Sequence, residues 1–406
     1  MGDGSVKFVE QNLLNTDLTL NLSQNIPWTG GSLFLETSAQ RMDLFSEHKY
    51  SWQTSPIMIG YRQSLFGYNS LKWDKRIEPV RYQEAKKSYV ETLELVSANA
   101  INKFFALATA QSNYDIASFN YANADTLYRY AQGRYNIGTI TENEMLQLEL
   151  NRLTEETNRM NARIEMDNCM QELRSYLGIQ EEREIRVRVS SRIPDFSINL
   201  NEALALAYEN SPDIQTMKRR KLESESAVAR ARANAGLKAD IYLRFGLTQT
   251  ADKLPEAYRN LLDQQYVSLS ISLPILDWGR GKGQVRVARS NRDLVYTQVE
   301  QNRTDFELNV RKLVKQFNLQ TQRVRIAART DETAQRRNEV ARKLYILGKS
   351  TILDLNASIS EKDSARRNYV SALYNYWSLY YTLRSMTLYD FESNKLLTED
   401  YNLLIE

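Results

Sequence analysis

Cysteine and histidine are almost missing from these 406 residues: Cys169 and His48 each stand alone. A single cysteine excludes a disulfide framework and any cysteine-based metal centre. A single histidine removes the Ser-His-Asp, Cys-His and histidine-metal chemistries together. Cys169 falls in a helical pattern beside Met166 and Met170 and reads as a small packing residue. Glycine and proline are scarce, at 15 and 7, so there are few places where a long element can be stopped. Neither sign of charge dominates. The 53 basic and 50 acidic residues leave a net charge of +3, which gives no reason to expect nucleic acid and suits solvated helix faces. No apolar run approaches the roughly 18 residues of a transmembrane helix. The start, Met1-Gly2-Asp3-Gly4-Ser5, lacks the basic and apolar regions of a signal peptide. Gly348-Lys349-Ser350-Thr351 looks like the end of a phosphate loop, but Lys343 stands where the leading glycine is needed and helical patterns flank it. No catalytic constellation, metal set or cofactor motif emerges, so no enzyme and no cofactor is expected.

What is present is a repeat. Tyr135, Gly138 and Thr141 recur as Tyr345, Gly348 and Thr351, an offset of 210 residues. Lys72, Arg76 and Asn99 recur as Lys282, Arg286 and Asn309, and no insertion is needed between the copies. Strict identity is low; matching residue class and element order carry the case. A unit of this length is too large for a solenoid repeat and points to a duplicated half of one pseudo-symmetric body.

Long helical patterns dominate each half. From Tyr89 the positions Leu93, Val96, Ala100, Lys103, Leu107, Ala110, Tyr114, Ala117, Tyr121, Ala124 and Tyr128 alternate in steps of four and three, a heptad seam with one polar interruption at Lys103. The pattern predicts a helix of about 60 residues, about 90 Å at 1.5 Å per residue. Gly138 breaks it and Thr141 can cap the next helix, whose stripe runs Leu146, Leu150, Leu153, Thr157, Met160 and Ile164 to Leu177-Gly178. So short a connection forces an antiparallel helical hairpin. The second copy has an outgoing seam of Phe306, Val310, Leu313, Phe317, Gln320, Val324 and Ala327, a turn at Gly348 and a return helix. Helices are expected near 72–136, 141–178, 279–346 and 351–390.

Strands precede each hairpin. Val267, Leu269, Ile271 and Leu273 alternate with serines, and Ile241, Leu243, Phe245 and Leu247 alternate with Tyr242, Arg244, Gly246 and Thr248. The first half offers Leu18, Leu20 and Leu22, then Ile57, Ile59 and Tyr61. Such alternation gives one apolar and one wet face. A half-buried sheet over a soluble core and a transmembrane barrel strand both satisfy it. Four strands are expected, near 16–38, 53–66, 240–250 and 265–276, with longer connecting loops at 41–54 and 251–265. Aromatics gather at strand ends, as an interfacial belt would. Two shorter helices, 199–209 and 213–235, precede the strands of the second half; no counterpart precedes the first. The expected organisation is therefore a first repeat, 1–178, with strands in 16–66, a hairpin in 72–178 and its leading helix pair missing. A linker at 179–198 follows. The second repeat, 199–406, has a helix pair at 199–236, strands at 240–276, a hairpin at 279–390 and a C-terminal tail.

This order of elements, twice over, resembles the TolC-type outer-membrane factor (outer membrane efflux protein) family. Three stretches carry the resemblance: Ser272-Leu273-Pro274-Ile275-Leu276-Asp277-Trp278-Gly279-Arg280-Gly281-Lys282 at a strand-to-helix junction, Tyr345-x-x-Gly348-x-x-Thr351-x-x-Asp354-Leu355 at a hairpin tip, and Asn201 to Ala207 with Asn210-Ser211-Pro212-Asp213 at a helix pair. Pro27-Trp28-Thr29-Gly30-Gly31 is similar to Bacteroidetes-like members, and the chain reads as an N-terminally truncated one. The resemblance implies an α+β membrane protein: a homotrimer whose long antiparallel coiled-coil hairpins form a periplasmic α-barrel, with four β-strands per protomer closing one 12-stranded barrel in the outer membrane. Four strands alone would leave open edges, which lipid does not tolerate. It also implies the exit duct of a tripartite efflux or type I secretion system, with a periplasmic adaptor, an inner-membrane transporter and outer-membrane lipid as partners. A soluble coiled-coil scaffold is the competing reading, supported by the seams and a mean hydropathy of −0.53.

By motif position, the resemblance places an aperture gate at Tyr135, Glu144, Tyr345 and Asp354, with the carboxylates turned toward the trimer axis. Ser350 and Ala357 stand where the family has a gating arginine and a second aspartate. A first-turn carboxylate favoured by the helix dipole accounts equally for Glu144 and Asp354. Adaptor contacts are expected at Gly138, Thr139, Ile140, Thr141, Gly348, Lys349, Ser350 and Thr351, at one end of the molecule far from the strands. Lipid contacts are expected at Leu243, Phe245, Leu269 and Ile271.

Overall fold

The alternating segments of the sequence assemble into one antiparallel sheet. The computed structural model describes residues 12–181, 183–190, 193–347 and 349–397. Residues 1–83 and 215–302 make one compact unit. Its sheet contains β1 (Leu13–Ile26), β2 (Gly31–Leu44), β3 (Lys49–Ser64), β4 (Lys238–Ala251) and β5 (Leu262–Ser272). The strands lie in that spatial order, and every neighbouring pair is antiparallel.

Register sorts the side chains into two faces. Leu22, Leu35, Ile59 and Phe245 stand opposite one another across β1 to β4, and Leu33, Tyr61, Leu243 and Val267 across β2 to β5. The reverse face carries rows such as Ser32, Arg62, Tyr242 and Ser268. Here the burial is inverted relative to a soluble sheet: Phe245, Val267, Leu269 and Ile271 are exposed on the apolar face. On the reverse face, Phe34 and Met58 are buried. Phe34 stacks on Tyr242 at 5.8 Å and lies over Gly60, where a Cβ would come within 2.0 Å of its ring. Glycine at 60 is thus required for close approach of the aromatic ring. Pro56 sits mid-strand in β3, where an ordinary ladder would be one donor short. The register slips by one residue there against both β2 and β4, a bulge that accommodates it. Thr54, fully buried, donates to the Ala257 carbonyl in a 3-10 turn, Glu256–Tyr258, that folds over from the β4–β5 connection.

The expectation of four strands is corrected to five. The single strand expected at 16–38 is a hairpin of β1 and β2 turned at Pro27-Trp28-Thr29-Gly30, where Gly30 N–H closes on the Ile26 carbonyl at 2.9 Å. The connections are also shorter than expected: 45–48 rather than 41–54, and 252–261 rather than 251–265. β5 stops at Ser272 instead of 276 because Pro274 has no N–H for the ladder.

The helices are α1 (Ser70–Asn136), α2 (Glu142–Tyr176), α3 (Leu200–Asn210), α4 (Pro212–Ala235), α5 (Arg280–Ile346) and α6 (Ile352–Thr387). α1 and α5 have 67 residues each, about 100 Å at the helical rise. The starts of α1 and α5, and of α2 and α6, lie 210 residues apart. Two minimal strands, β6 (Tyr389–Asp390) and β7 (Lys395–Leu396), follow.

Residues 84–214 and 303–406 make the second unit. In the first hairpin Leu107, Ala110, Met166 and Leu173 form a buried cluster, with Tyr114, Cys169 and Met170 packed against it. Burial raises the Cys169 thiol above its ordinary pKa, as suits a packing residue rather than a reactive one. Toward the tip the α1–α2 contact becomes a ladder of cation–π pairs: Arg163 over Tyr114, Arg159 over Tyr121 at 4.1 Å, and Arg152 over Tyr128. The heptad spacing of the tyrosines makes this ladder possible. In the second hairpin, Phe196, Phe317, Tyr376 and Tyr380 form an aromatic stack beside buried Val310, Val314 and Leu383. Beside it, Arg384 holds Glu94 at 2.9 Å and Asp390 at 3.5 Å, all three largely buried, linking α6 to α1 and to β6. The stripe Leu146, Leu150, Leu153, Met160 and Ile164 on α2 is exposed, so it is not the seam of its own hairpin. Periodicity gives the phase of a stripe but not the neighbour it meets.

Candidate functional site: hairpin tips and exposed sheet face

Each tip is built by a helix stop and a helix start. At the first, Gly138 has φ +72°, a left-handed conformation that glycine adopts without strain. Gly138 N–H donates to the Tyr135 carbonyl and Thr139 N–H to that of Arg134, both at 2.9 Å, which satisfies the last carbonyls of α1 in a Schellman closure. Thr141 then caps α2: Glu144 N–H donates to its hydroxyl at 3.3 Å, and Glu144 Oε2 accepts from Thr141 N–H at 2.9 Å. This is a reciprocal capping box. At the second tip Lys349 N–H donates to the Leu344 carbonyl at 2.9 Å. Asp354 N–H donates to the Thr351 hydroxyl at 3.2 Å, and Asp354 Oδ2 accepts from Thr351 at 2.9 Å and Ser350 at 3.3 Å.

These bonds set the electrostatics. The Thr141 backbone N–H, then its hydroxyl, holds Glu144 below the ordinary range for a glutamate. The Thr351 hydroxyl does the same first for Asp354. Both carboxylates are therefore anionic, exposed and occupied as helix caps. The signal was in the sequence as Thr-x-x-Glu and Thr-x-x-Asp, the spacing of a capping box and its shorter analogue.

A groove of about 340 Å³ between the two tips is lined in part by Tyr130, Arg134, Thr139, Glu144, Tyr345 and Asn356. It brings two of the gate candidates together, Glu144 and Tyr345. Tyr135 and Asp354 are exposed on their own tips and do not line it. Of the adaptor-contact candidates, Gly138, Thr139, Thr141, Lys349 and Thr351 are exposed, while Ile140 and Ser350 are half-buried. Gly348 lies outside the described residues. The tips also expose Ile137, Leu347 and Leu353, at 74%, 68% and 75%. Sequence reasoning passed over these; apolar residues just outside a heptad seam and beside a turn were the available signal.

The second candidate surface is the apolar sheet face. Phe245, Leu269 and Ile271 are exposed on it and Leu243 is half-buried. Exposed aromatics border the sheet at both strand ends: Trp28, Phe66 and Trp278 at one, Phe45, Tyr50 and Tyr258 at the other. At the first end Asp277 organises the entry into α5, accepting from Gly279 N–H at 2.9 Å and Gly281 N–H at 2.8 Å. Those bonds, from Gly281 first, hold its carboxyl below the ordinary range. Among the described residues no helix is long and apolar enough to cross a membrane, and no group of three or more His, Cys, Asp or Glu side chains could hold a metal ion.

Comparison with known proteins adds three findings. Residues 203–387 match the family model described as Outer membrane efflux protein. No curated protein matches the chain. Solved structures share the fold at low identity. They include the Campylobacter jejuni CmeC outer membrane channel, with TM-score 0.68, 15% identity, and 98% of this chain and 80% of that one covered. VceC, an outer membrane protein of Vibrio cholerae, gives 0.64, 14%, 93% and 87%. The Neisseria gonorrhoeae MtrE outer membrane channel in its open state gives 0.66, 12%, 96% and 82%.

Proposed function

We propose that this chain, whose residues 203–387 match the outer membrane efflux protein family model, is an exit duct for efflux or secretion, with its sheet in the outer membrane and its helical hairpins in the periplasm. The observation that carries the reading is the inverted sheet. A continuous apolar face, from Leu22 to Val267, is exposed between two rows of aromatics, while the opposite face is polar or locally packed. Alternation of this kind, bordered by aromatic girdles, is what a barrel strand between lipid and lumen needs. A soluble scaffold gives no reason for it.

The working form is a homotrimer. Five strands have two open edges, which lipid forbids, so copies must join. Exposed apolar stripes on the helices support the same conclusion: Leu146, Leu150, Leu153, Met160 and Ile164 on α2, and Leu319, Ile326 and Val340 on α5. Their heptad-related spacing fits a coiled-coil seam with a second copy. Two duplicated halves then supply pseudo-equivalent hairpins around a tunnel. Glu144 and Asp354 contribute fixed negative charge at its aperture, and that field favours cations. The exposed apolar residues Ile137, Leu347 and Leu353 at the tips suit docking of a periplasmic adaptor linked to an inner-membrane transporter. Cargo moves passively; no residue set for chemistry is required.

Purified protein in a planar lipid bilayer tests the reading. Discrete conductance steps from a preparation with the mass of three copies are expected. A water-soluble monomer that yields no steps would overturn it.

A further inference from the structure

The polar face of the sheet carries a cluster of cations and rings that the passage of cargo does not itself require. We propose that Arg62, Arg244, Tyr242 and Tyr266 form a binding site, on the wall of the tunnel, for aromatic rings that bear an anionic group. The inference rests on the membrane-wall reading above, which turns this face toward the lumen.

Register sets the four side chains in a checkerboard. Arg62 on β3 stands opposite Tyr242 on β4, and Arg244, two residues further along β4, stands opposite Tyr266 on β5. Side chains two apart on a strand share a face, so all four project from the same side. The rings form a series with Phe34 of β2. Phe34 stacks on Tyr242 and Tyr242 meets Tyr266 edge-on, both at 5.8 Å between centroids. Arg62 lies over the Tyr242 ring at 5.5 Å. Phe34 is buried at the back of the series, Tyr242 and Arg244 are half-buried, and Arg62 and Tyr266 are exposed. The series therefore ends in a ring with an open face.

The charges beside it lack counter-ions. Arg62 and Arg244 are diagonal neighbours across β3 and β4, close enough to feel each other's field. Among the described residues neither is ion-paired with a carboxylate. The acidic residues in the adjoining rows of this face are Asp240, opposite Ser270, and Glu36, opposite Met58; Glu36 instead accepts from Asn21 at 3.4 Å. Arg244 donates to the neutral Gln264 at 3.3 Å, and its Nε is buried without a partner. Two neighbouring cations repel, and a bound anion relieves that repulsion. An aryl carboxylate or sulfonate meets both demands at once. Its ring stacks on Tyr266, and its oxygens accept from the guanidinium N–H groups. A ringless anion gains only the charge, and a neutral ring only the stacking.

Block of reconstituted channels tests the site. The probe is naphthalenetrisulfonate, too highly charged to enter lipid, with tricarballylate as a trianion that has no ring. Each is added on the side of the β2–β3 turn, which the proposed topology places outside the cell, so neither has to pass the acidic hairpin tips. Naphthalenetrisulfonate should reduce single-channel conductance saturably, at a concentration about tenfold below that of tricarballylate, the scale of one aromatic stacking contact. Arg62→Gln with Arg244→Gln should weaken block by both anions. Tyr266→Leu, at an exposed position, should weaken block by the naphthalene anion alone, and it decides the matter if the arginine variant yields no channels. Conductance steps without block, equal block by the two anions, or block by the naphthalene anion that Tyr266→Leu leaves unchanged would overturn the proposal. If the unaltered protein gives no conductance steps, the channel reading itself fails and this inference with it.

Discussion

Val267 and Ser268 are neighbours on β5 with opposite surroundings, and arginine at each separates the membrane wall from a soluble sheet. Val267 is the sixth of eleven residues in β5, so it sits at the middle of the strand, and it is 67% exposed on the apolar face. Replacing it sacrifices little packing within the chain, so the cost measures the medium outside. In lipid, an arginine at the midplane of a barrel's outer face costs about 2–4 kcal/mol. That lowers the folded-to-unfolded ratio roughly 30- to 700-fold. In water, the same change at so exposed a position stays within about 0.5 kcal/mol. Ser268→Arg, on the polar face beside Tyr242 and Arg62, supplies the internal control. Urea titration of protein folded into phosphatidylcholine liposomes reads the difference. Val267→Arg should shift the midpoint far more than Ser268→Arg. Equal shifts for the two would refute the assignment of faces.

Three further expectations follow from packing and charge. Arg384→Met leaves the buried Glu94 carboxylate unpaired and should cost about 3–5 kcal/mol by denaturant titration, whereas adding Glu94→Met should recover most of it. Gly60→Ala forces the Phe34 ring aside and should cost about 1–3 kcal/mol, while Gly283→Ala, with open space around it, should cost nothing. Because the caps lower the pKa of Glu144 and Asp354, their charge persists as pH falls through 4.5 and 3.8, the ordinary values; the stability the caps contribute is full above those values, declines below them and is gone once pH has dropped through the lowered folded values. Cation selectivity of reconstituted channels should follow the same course, and Thr141→Val with Thr351→Val should move its loss to higher pH; an unchanged profile would remove these carboxylates from the aperture.

The helices were the most legible part of this chain, because 67-residue elements repeat their period many times and end at glycine turns with threonine caps. The sheet was legible in its alternation but not in its strand count. Pro27-Trp28-Thr29-Gly30 is a turn between two alternating runs, yet alternation on both sides masks the break. The bulge at Pro56 shifts phase inside β3, so a strict period-two reading shortens that strand. The stripe on α2 had the right period and an unseen partner, since the sequence of one chain does not say which surface another copy covers. At the tips, position in the motif suggested gating carboxylates, whereas hydrogen bonds reveal that Glu144 and Asp354 are also structural caps. Neither role excludes the other, because the caps leave both groups charged and exposed.

Solvent accessibility along β5 in native outer membranes tests the central claim most directly. Single cysteines at Val267, Ser268, Leu269, Ser270 and Ile271, in the Cys169→Ser background, are labelled with a charged, water-soluble maleimide. The account predicts labelling at 268 and 270 and protection at 267, 269 and 271, alternating with the pleat. Uniform labelling at all five positions would contradict it.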